Sequence, residues 1–290
     1  MSDYVIMTDS CCDLPAELAA ELEIEVLPLR LELKGKEYRN YLDGREIGFQ
    51  EFYNQVRAGE MPVTSAVNVG EFEEAMRPVL ETGKDILCLC FSSALSTTYQ
   101  SAVIAAKELG EKFPERKMLV VDSLCASMGQ GLLAWLCARE KKRGLAIDEL
   151  ADYALQIREK VCHWFTVDDL NHLKRGGRVS AAAALFGTML SVKPVLHVDE
   201  QGRLIPMEKC RGRRASMLAL VDRMEKTAAD PAGQTVFISH GDCLEDAEFV
   251  AEEIRRRFGT KDIRISYVGP VIGSHTGAGV VALFFLGAPR

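Results

Sequence analysis

The chain has 290 residues, 48% of them apolar and 27% charged, a composition that fits a folded globular protein and excludes a disordered one. Its 35 basic and 42 acidic residues give a net charge of −7, which argues against nucleic acid as the main partner. The longest apolar stretches, residues 132–138 and 280–286, are too short to cross a bilayer, so no stable membrane insertion is expected.

The first residues and the cysteines indicate the compartment. The chain runs directly into a strand-like segment without the basic and apolar regions of an export signal, which favours a cytoplasmic protein. The nine cysteines form no CxxC pair and the five histidines are scattered, so neither a disulfide framework nor a metal site is expected.

From the N-terminus to about residue 143, apolar strands alternate with helical patterns, which is typical of a parallel sheet flanked by helices. A short helix is also expected to begin at residues 13–15, where a proline favours the first turn. The predicted strands are residues 4–7, 86–91 and 118–121, and the predicted longer helices are residues 70–80, 99–109 and, capped by Ser123, 123–143.

Polar segments follow the strands of this predicted sheet. Ligands bind beyond the carboxyl ends of parallel strands, so we expect residues 8–10, 92–97 and 122–123 to share one edge of the sheet.

A second unit is predicted to begin near residue 161. KRGGR at 174–178 and GSHTGAG at 273–279 are expected to be loops because of their glycines. The predicted strands are residues 161–167, 235–239 and 263–268 with a hairpin at 196–209, and the predicted helices are residues 168–173, 181–190, 214–224 and 244–258. The expected fold class is α/β, with two α/β domains at residues 1–160 and 161–290.

Common catalytic signatures are missing from the sequence. No serine has the G-x-S-x-G spacing of an α/β hydrolase, no complete P-loop occurs, and no HExxH is present. GAGVVA at 277–282 matches a dinucleotide-binding pattern, but only residues 283–290 follow it, too few for a βαβ unit.

The segment SSALSTTYQS, residues 92–101, is rich in hydroxyl groups and follows a predicted strand. Helix capping explains some of these groups, but Ser93, Ser96 and Thr97 together exceed what one helix start uses. Because the free N–H groups at a helix N-terminus attract anions, we predict that these three residues bind an anionic ligand.

A histidine and two arginines in glycine-containing segments are further candidates. His275 lies between Ser274 and Thr276 with glycines on both flanks, which permits close backbone approach, and we predict that His275 and Thr276 contact the ligand. The two glycines of KRGGR favour an ordered loop that presents Arg175 or Arg178.

A series of short segments, in order along nearly the whole chain, resembles the DegV family. They are TDS and DLP within 8–15, P-x-TS at 62–65, SSALSTTYQSA at 92–102, VDS at 121–123, DLNHLKRGGRVS at 169–180, KPVL at 193–196, SHGD at 239–242 and GSHTGAG at 273–279.

The resemblance implies two α/β domains with a long-chain fatty acid between them, the 273–279 loop returning to that interdomain site. It implies that Thr64, Ser65, Ser93 and His275 hold the carboxylate. It also implies a carrier rather than an enzyme, with no cofactor: in bacteria that have a partner fatty acid kinase, the bound acid is presented for phosphorylation to an acyl-phosphate. We expect Arg175, Arg178 or Arg211 near the face that a kinase would approach.

Physical chemistry supports this reading of the resemblance. Each buried methylene contributes about 0.8 kcal/mol, so the acyl tail supplies the affinity. A carboxylate drawn in behind the tail must be hydrogen-bonded, and hydroxyl donors meet that need. Residues 181–190 and 280–286 are candidates for lining the tunnel, although most of their side chains are expected to belong to the ordinary core.

Two other functions stay open at this point. The first is an enzyme that acts by itself on an acyl or phosphoryl substrate, with His275 as base and a loop serine as nucleophile. The second is a module that binds a sugar or another small molecule, which predicts a small polar pocket in place of a tunnel.

Overall fold

The structure of the protein, a computed structural model, describes residues 3–179 and 192–290. The strands in this part of the chain are β1 (Tyr4–Asp9), β2 (Ile24–Leu27), β3 (Arg30–Leu33), β4 (Lys36–Arg39), β5 (Val63–Ser65), β6 (Asp85–Cys90), β7 (Met118–Asp122), β8 (Val161–Thr166), β9 (Val192–Val198), β10 (Leu204–Arg211), β11 (Val236–His240), β12 (Ile263–Tyr267) and β13 (Val281–Leu286). The helices are α1 (Ala16–Glu21), α2 (Phe49–Arg57), α3 (Val69–Glu81), α4 (Thr98–Lys112), α5 (Met128–Lys142), α6 (Ile147–Ile157), α7 (Asn171–Arg175), α8 (Arg213–Thr227), α9 (Leu244–Phe258) and α10 (Pro270–Thr276).

A four-stranded parallel sheet forms the first half of the molecule, in the order β2-β1-β6-β7. Successive strand residues point to opposite faces, so Ile6 and Leu87 pack in a core with α5, whereas Met7 and Ile86 pack in a core with α3 and α4. Apolar residues cover both faces of the sheet, as a parallel sheet requires. The prediction of a parallel sheet flanked by helices is confirmed.

A six-stranded mixed sheet forms the second half, in the order β10-β9-β8-β13-β11-β12. Strand β13 lies between β8 and β11 and is antiparallel to both. The predicted hairpin is present as the antiparallel pair β9 and β10. With this second sheet, the expected fold class of two α/β units is confirmed.

Helix α5 lies between the two large sheets. It contacts β1 and β6 on one side and β8, β11 and β13 on the other, and its residues from Met128 to Ala138 are buried except Leu136. One apolar cluster therefore runs from the first sheet through α5 to the second. Strand β8 begins at Val161, directly after the turn 158–160, and we propose the division into residues 1–160 and 161–290 at this point.

The start of α5 differs from the prediction that Ser123 caps it. The side chains of Asp122 and Ser123 accept the N–H groups of Leu124 and Cys125 and so form a turn instead. Leu124 adopts a left-handed backbone with φ 52°, which interrupts a right-handed helix. The N-cap position belongs to Ser127.

Two other features differ from the sequence-based expectations, and one expected helix lies outside the described residues. GSHTGAG was expected to be a loop, but its first residues belong to α10, because Gly269 and Pro270 form a favourable helix start. A small antiparallel sheet, in the order β4-β3-β5, was not predicted. The helix expected at residues 181–190 lies outside the described residues.

A matched pair of glycine substitutions tests how tightly α5 is packed. A Cβ added at Gly131 would lie 2.6 Å from the backbone oxygen of Cys12, whereas one added at Gly110 in α4 would meet only the Met118 side-chain end, at 3.9 Å. We expect Gly131→Ala to lower the free energy of unfolding by about 1–3 kcal/mol. Gly110→Ala should raise it by about 0.5–1 kcal/mol, because alanine favours a helix. Equal stability of the two variants in urea denaturation would contradict this packing.

Candidate functional site

A cavity of about 500 Å³ lies between the carboxyl edge of the four-stranded sheet and the inner face of the six-stranded sheet. Its size is within the usual range for small-molecule sites. The polar residues in its wall are Thr64, Ser65, Ser93, Ser96, Thr97, Ser127, His163, Arg178, His275 and Thr276. The larger apolar side chains in its wall are those of Leu29, Phe91, Leu95, Phe165, Leu173, Val198, Leu204, Val268, Val271, Ile272, Val280 and Phe284.

The hydroxyl-rich segment follows β6 and forms part of this wall. Asp122 accepts the Ser93 N–H at 3.1 Å and Asp9 accepts the Phe91 N–H at 2.7 Å, so the ends of β1, β6 and β7 lie together as predicted. The Ser92 hydroxyl donates to the Gly202 oxygen and so has a structural role. The Ser93 and Thr97 hydroxyls, in contrast, make no hydrogen bond with any described residue.

His275 is held in the wall by a threonine on another element. The His275 Nε2 lies 2.8 Å from the Thr64 hydroxyl, which belongs to β5. Burial, together with the positive charge of Arg178, lowers the pKa of His275 to about 4. The imidazole is therefore neutral at neutral pH, with one N–H donor and one lone pair.

Glycine residues let helix α7 approach α10 closely. A Cβ at Gly176 would lie 2.2 Å from the His275 Nδ1, and a Cβ at Gly277 would lie 2.6 Å from the His172 Cδ2. Each helix thus places a histidine against the glycine that follows the other. A side chain at residue 176 would displace the imidazole. The position of His275 therefore requires a glycine at residue 176, the first glycine of KRGGR.

Arg178 brings a positive charge to the same wall. Its guanidinium donates to the Leu95 oxygen at 3.2 Å and to the Gly176 oxygen. It forms no ion pair with a carboxylate in residues 3–179 and 192–290, and residues 180–191 contain neither Asp nor Glu. Likewise, no Asp or Glu of the described residues lines the cavity. The cavity wall therefore attracts an anion rather than repelling it.

Strands β8 and β13 supply an apolar part of the wall. Val280 and Phe284 face the cavity, whereas Val281 and Phe285 face the core beneath α8 and α9. Only alternate residues of the expected tunnel segment 280–286 therefore line the cavity. The other expected tunnel segment, residues 181–190, lies outside the described residues.

His163 lies in this apolar part without adding charge to it. Its Nε2 accepts the Ala126 N–H at 3.3 Å, its Nδ1 lies 2.9 Å from the Val161 oxygen, and its ring packs edge-on against Phe284. Burial holds the pKa of His163 well below its usual range, so the ring stays neutral.

The predicted site residues divide into two groups. Those that line the cavity are Thr64, Ser65, Ser93, Ser96, Thr97, Arg178, His275 and Thr276. The other two do not: Arg175 is exposed and donates to the His172 Nδ1 at 3.2 Å, and Arg211 is exposed at the end of β10. Sequence reasoning missed Ser127, because it placed the start of α5 at Ser123.

No cluster of His, Cys, Asp or Glu in residues 3–179 and 192–290 has the arrangement of a metal site. Of the helices described, none has both the length and the apolar composition that crossing a bilayer requires.

Comparison with known proteins gives this arrangement a context. The model of the family described as "Uncharacterised protein, DegV family" matches residues 3–288. This chain belongs to the DegV family. A DegV domain-containing protein of Clostridium perfringens is 47% identical to it over 287 residues, which cover 99% of this chain and 98% of the relative.

Solved DegV structures have the same fold. A DegV family protein from Thermus thermophilus, whose structure is described as showing fatty acid binding, has a TM-score of 0.87 and 30% identity, covering 99% of this chain and 100% of that one. DegV of Bacillus subtilis, described as a fatty acid binding protein, has a TM-score of 0.86 and 28% identity with the same coverage.

The low pKa of His275 predicts how stability depends on pH. The folded pKa of about 4 lies below the ordinary value of 6.5, so the unfolded chain binds the proton more readily and stability is lost as the pH falls from 6.5 towards 4. Relative to His275→Gln, the wild type should lose about 2 kcal/mol of unfolding free energy between pH 7 and pH 5. Urea denaturation of both proteins measures this difference. The contributions of the other titrating groups are the same in both proteins and therefore cancel. A difference that does not change with pH would contradict the burial of a neutral imidazole.

Proposed function

We propose that the protein binds a long-chain fatty acid in the cavity between its two large sheets. The carboxylate lies at the part of the wall formed by Thr64, Ser65, Ser93 and His275, with Ser96, Thr97 and Thr276 beside them. The acyl tail lies against the apolar side chains of β8 and β13. The observation that carries this proposal is that one cavity is lined both by uncharged hydrogen-bond donors and by many apolar side chains, and that no Asp or Glu of the described residues lines it.

The energies of the two ends of the ligand fit this cavity. A tail of some 15 methylenes at about 0.8 kcal/mol each contributes on the order of 10 kcal/mol before the costs of association. A carboxylate buried without partners costs several kcal/mol, which hydroxyl and imidazole donors offset. The unpaired charge of Arg178 favours the ionised acid further.

Related proteins support the same ligand class. The DegV proteins of Thermus thermophilus and Bacillus subtilis are described as fatty acid binding, and each resembles this chain over its whole length. By similarity, we infer fatty acid binding for this chain.

We further propose that the protein is a cytoplasmic carrier that presents the acid to a partner kinase, rather than an enzyme in its own right. The hydroxyl nearest to the His275 Nε2 belongs to a threonine that is half-buried in a strand, at 2.8 Å. No carboxylate of the described residues contacts the imidazole to orient it as a base. The exposed Arg175 and Arg211 remain candidates for contacts with the kinase.

Extraction of the purified protein tests the ligand. We expect denaturation and mass spectrometry to release a long-chain fatty acid at close to one per chain. A chain that carries none, and that fails to bind palmitate in calorimetry, would contradict the proposal. Turnover of acyl esters without a kinase would instead favour the stand-alone enzyme.

Two serines of the hydroxyl-rich segment provide a matched pair for the head-group site. Ser93 lines the cavity, whereas Ser101 lies on α4 outside it. Ser93→Ala should weaken palmitate binding about tenfold, the value of one hydrogen bond to a charged group, and Ser101→Ala should leave binding unchanged. If both variants bind like the wild type, Ser93 does not hold the carboxylate.

A further inference from the structure

A buried carboxylate lies outside the cavity, in the connection between β1 and α1. Asp13 is 3% exposed and has a left-handed backbone with φ 50°. Among the described residues, no Lys or Arg forms an ion pair with it. Burial raises the pKa of Asp13 to about 7. A carboxylate kept in such a place without a cation needs a reason.

Both carboxylate oxygens of Asp13 contact elements that build the cavity. Oδ1 accepts the Gly269 N–H at 3.0 Å, and Oδ2 accepts the Ser127 hydroxyl at 2.5 Å. The Ser127 hydroxyl also lies 3.0 Å from that of Ser239 in β11. One side chain, in the connection after β1, thus joins the starts of α5 and α10 and, through Ser127, reaches β11.

The contact with Gly269 leaves almost no free space. A Cβ at Gly269 would lie 2.7 Å from the Asp13 Oδ1, so only glycine allows the helix start to approach the carboxylate this closely. Gly269 is the N-cap residue of α10, whose last residues are His275 and Thr276. A helix of 7 residues is a rigid rod of about 10 Å, so a shift at its start moves its end.

We propose that Asp13 is a positioning residue of the ligand site. By fixing the starts of α10 and α5, it determines the positions of His275 and Ser127 in the cavity wall. The expected effect on affinity rests on the proposed binding of a fatty acid. The expected effect on the His275 ring does not.

Three variants change this contact in different ways. Asp13→Gly removes both acceptors while tolerating the left-handed backbone. Asp13→Asn keeps the shape, since its amide oxygen accepts the Gly269 N–H and its amide nitrogen donates to the Ser127 hydroxyl. Gly269→Ala keeps the carboxylate and pushes α10 away from it. Asp85→Ala is the control, because it removes another carboxylate that is 3% exposed from the opposite end of the same sheet.

The readouts are the nuclear magnetic resonance signals of the His275 ring and the affinity for palmitate. We expect Asp13→Gly and Gly269→Ala to shift the ring signals, to raise the His275 titration midpoint from about 4 towards 6.5, and to weaken palmitate binding at least tenfold. Asp13→Asn should keep the His275 ring signals and the palmitate affinity close to those of the wild type. Asp85→Ala should lower the melting temperature and change neither.

Unchanged His275 signals in Asp13→Gly would overturn the proposal. If that variant does not fold, Gly269→Ala and Asp13→Asn test the proposal instead. Wild-type ring signals and wild-type affinity in Gly269→Ala would show that Asp13 does not position His275 through this contact. If the wild type binds no palmitate, the proposed function fails, whereas the ring signals still test the role of Asp13.

Discussion

A carboxylate taken out of water needs hydrogen-bond donors at its oxygens, and the proposed head-group site depends on this requirement. Hydroxyls supply such donors without carrying charge. The Ser93 hydroxyl lines the cavity and makes no hydrogen bond with any other described residue. The imidazole of His275 becomes a neutral donor because burial holds its pKa at about 4. Arg178 provides the positive charge, and its guanidinium is held by backbone oxygens rather than by an acid. The wall therefore accepts an anion without first breaking an ion pair.

The segments that form this wall are far apart in the sequence, and buried polar contacts hold them together. The Tyr53 hydroxyl of α2 donates to the Val268 oxygen at 2.7 Å, and the Ser92 hydroxyl donates to the Gly202 oxygen at 2.9 Å. Each of these bonds joins the first half of the chain to the second. Because a buried polar group without a partner is costly, such bonds fix one arrangement of the two halves. Apolar packing around α5 provides most of the contact between the two halves, and the hydrogen bonds fix how the halves are aligned.

Sequence patterns predicted the fold class and most of the elements because apolar periodicity depends on local spacing. Helix α9 matches its predicted range, and β6 and β7 match theirs within one residue. One error, the start of α5, occurred where the Ser123 side chain hydrogen-bonds to nearby backbone, which no periodicity reveals. The hairpin of β3 and β4 turns at Lys34 and Gly35, which both have positive φ, and the glycine is the sequence signal for this turn. Resemblance to the DegV family identified the residues that meet in the cavity, but the role of Asp13 depends on a contact between residues 13 and 269 that spacing cannot predict.

A crystal structure of the complex with palmitate would show the orientation of the bound acid. We predict an orientation with a carboxylate oxygen within about 3 Å of the Thr64 or Ser93 hydroxyl or of a His275 ring nitrogen, and with the hydrocarbon chain against Phe165 and Phe284. A carboxylate at the Phe284 side of the cavity, or an acid bound on the protein surface with the cavity empty, would contradict this prediction.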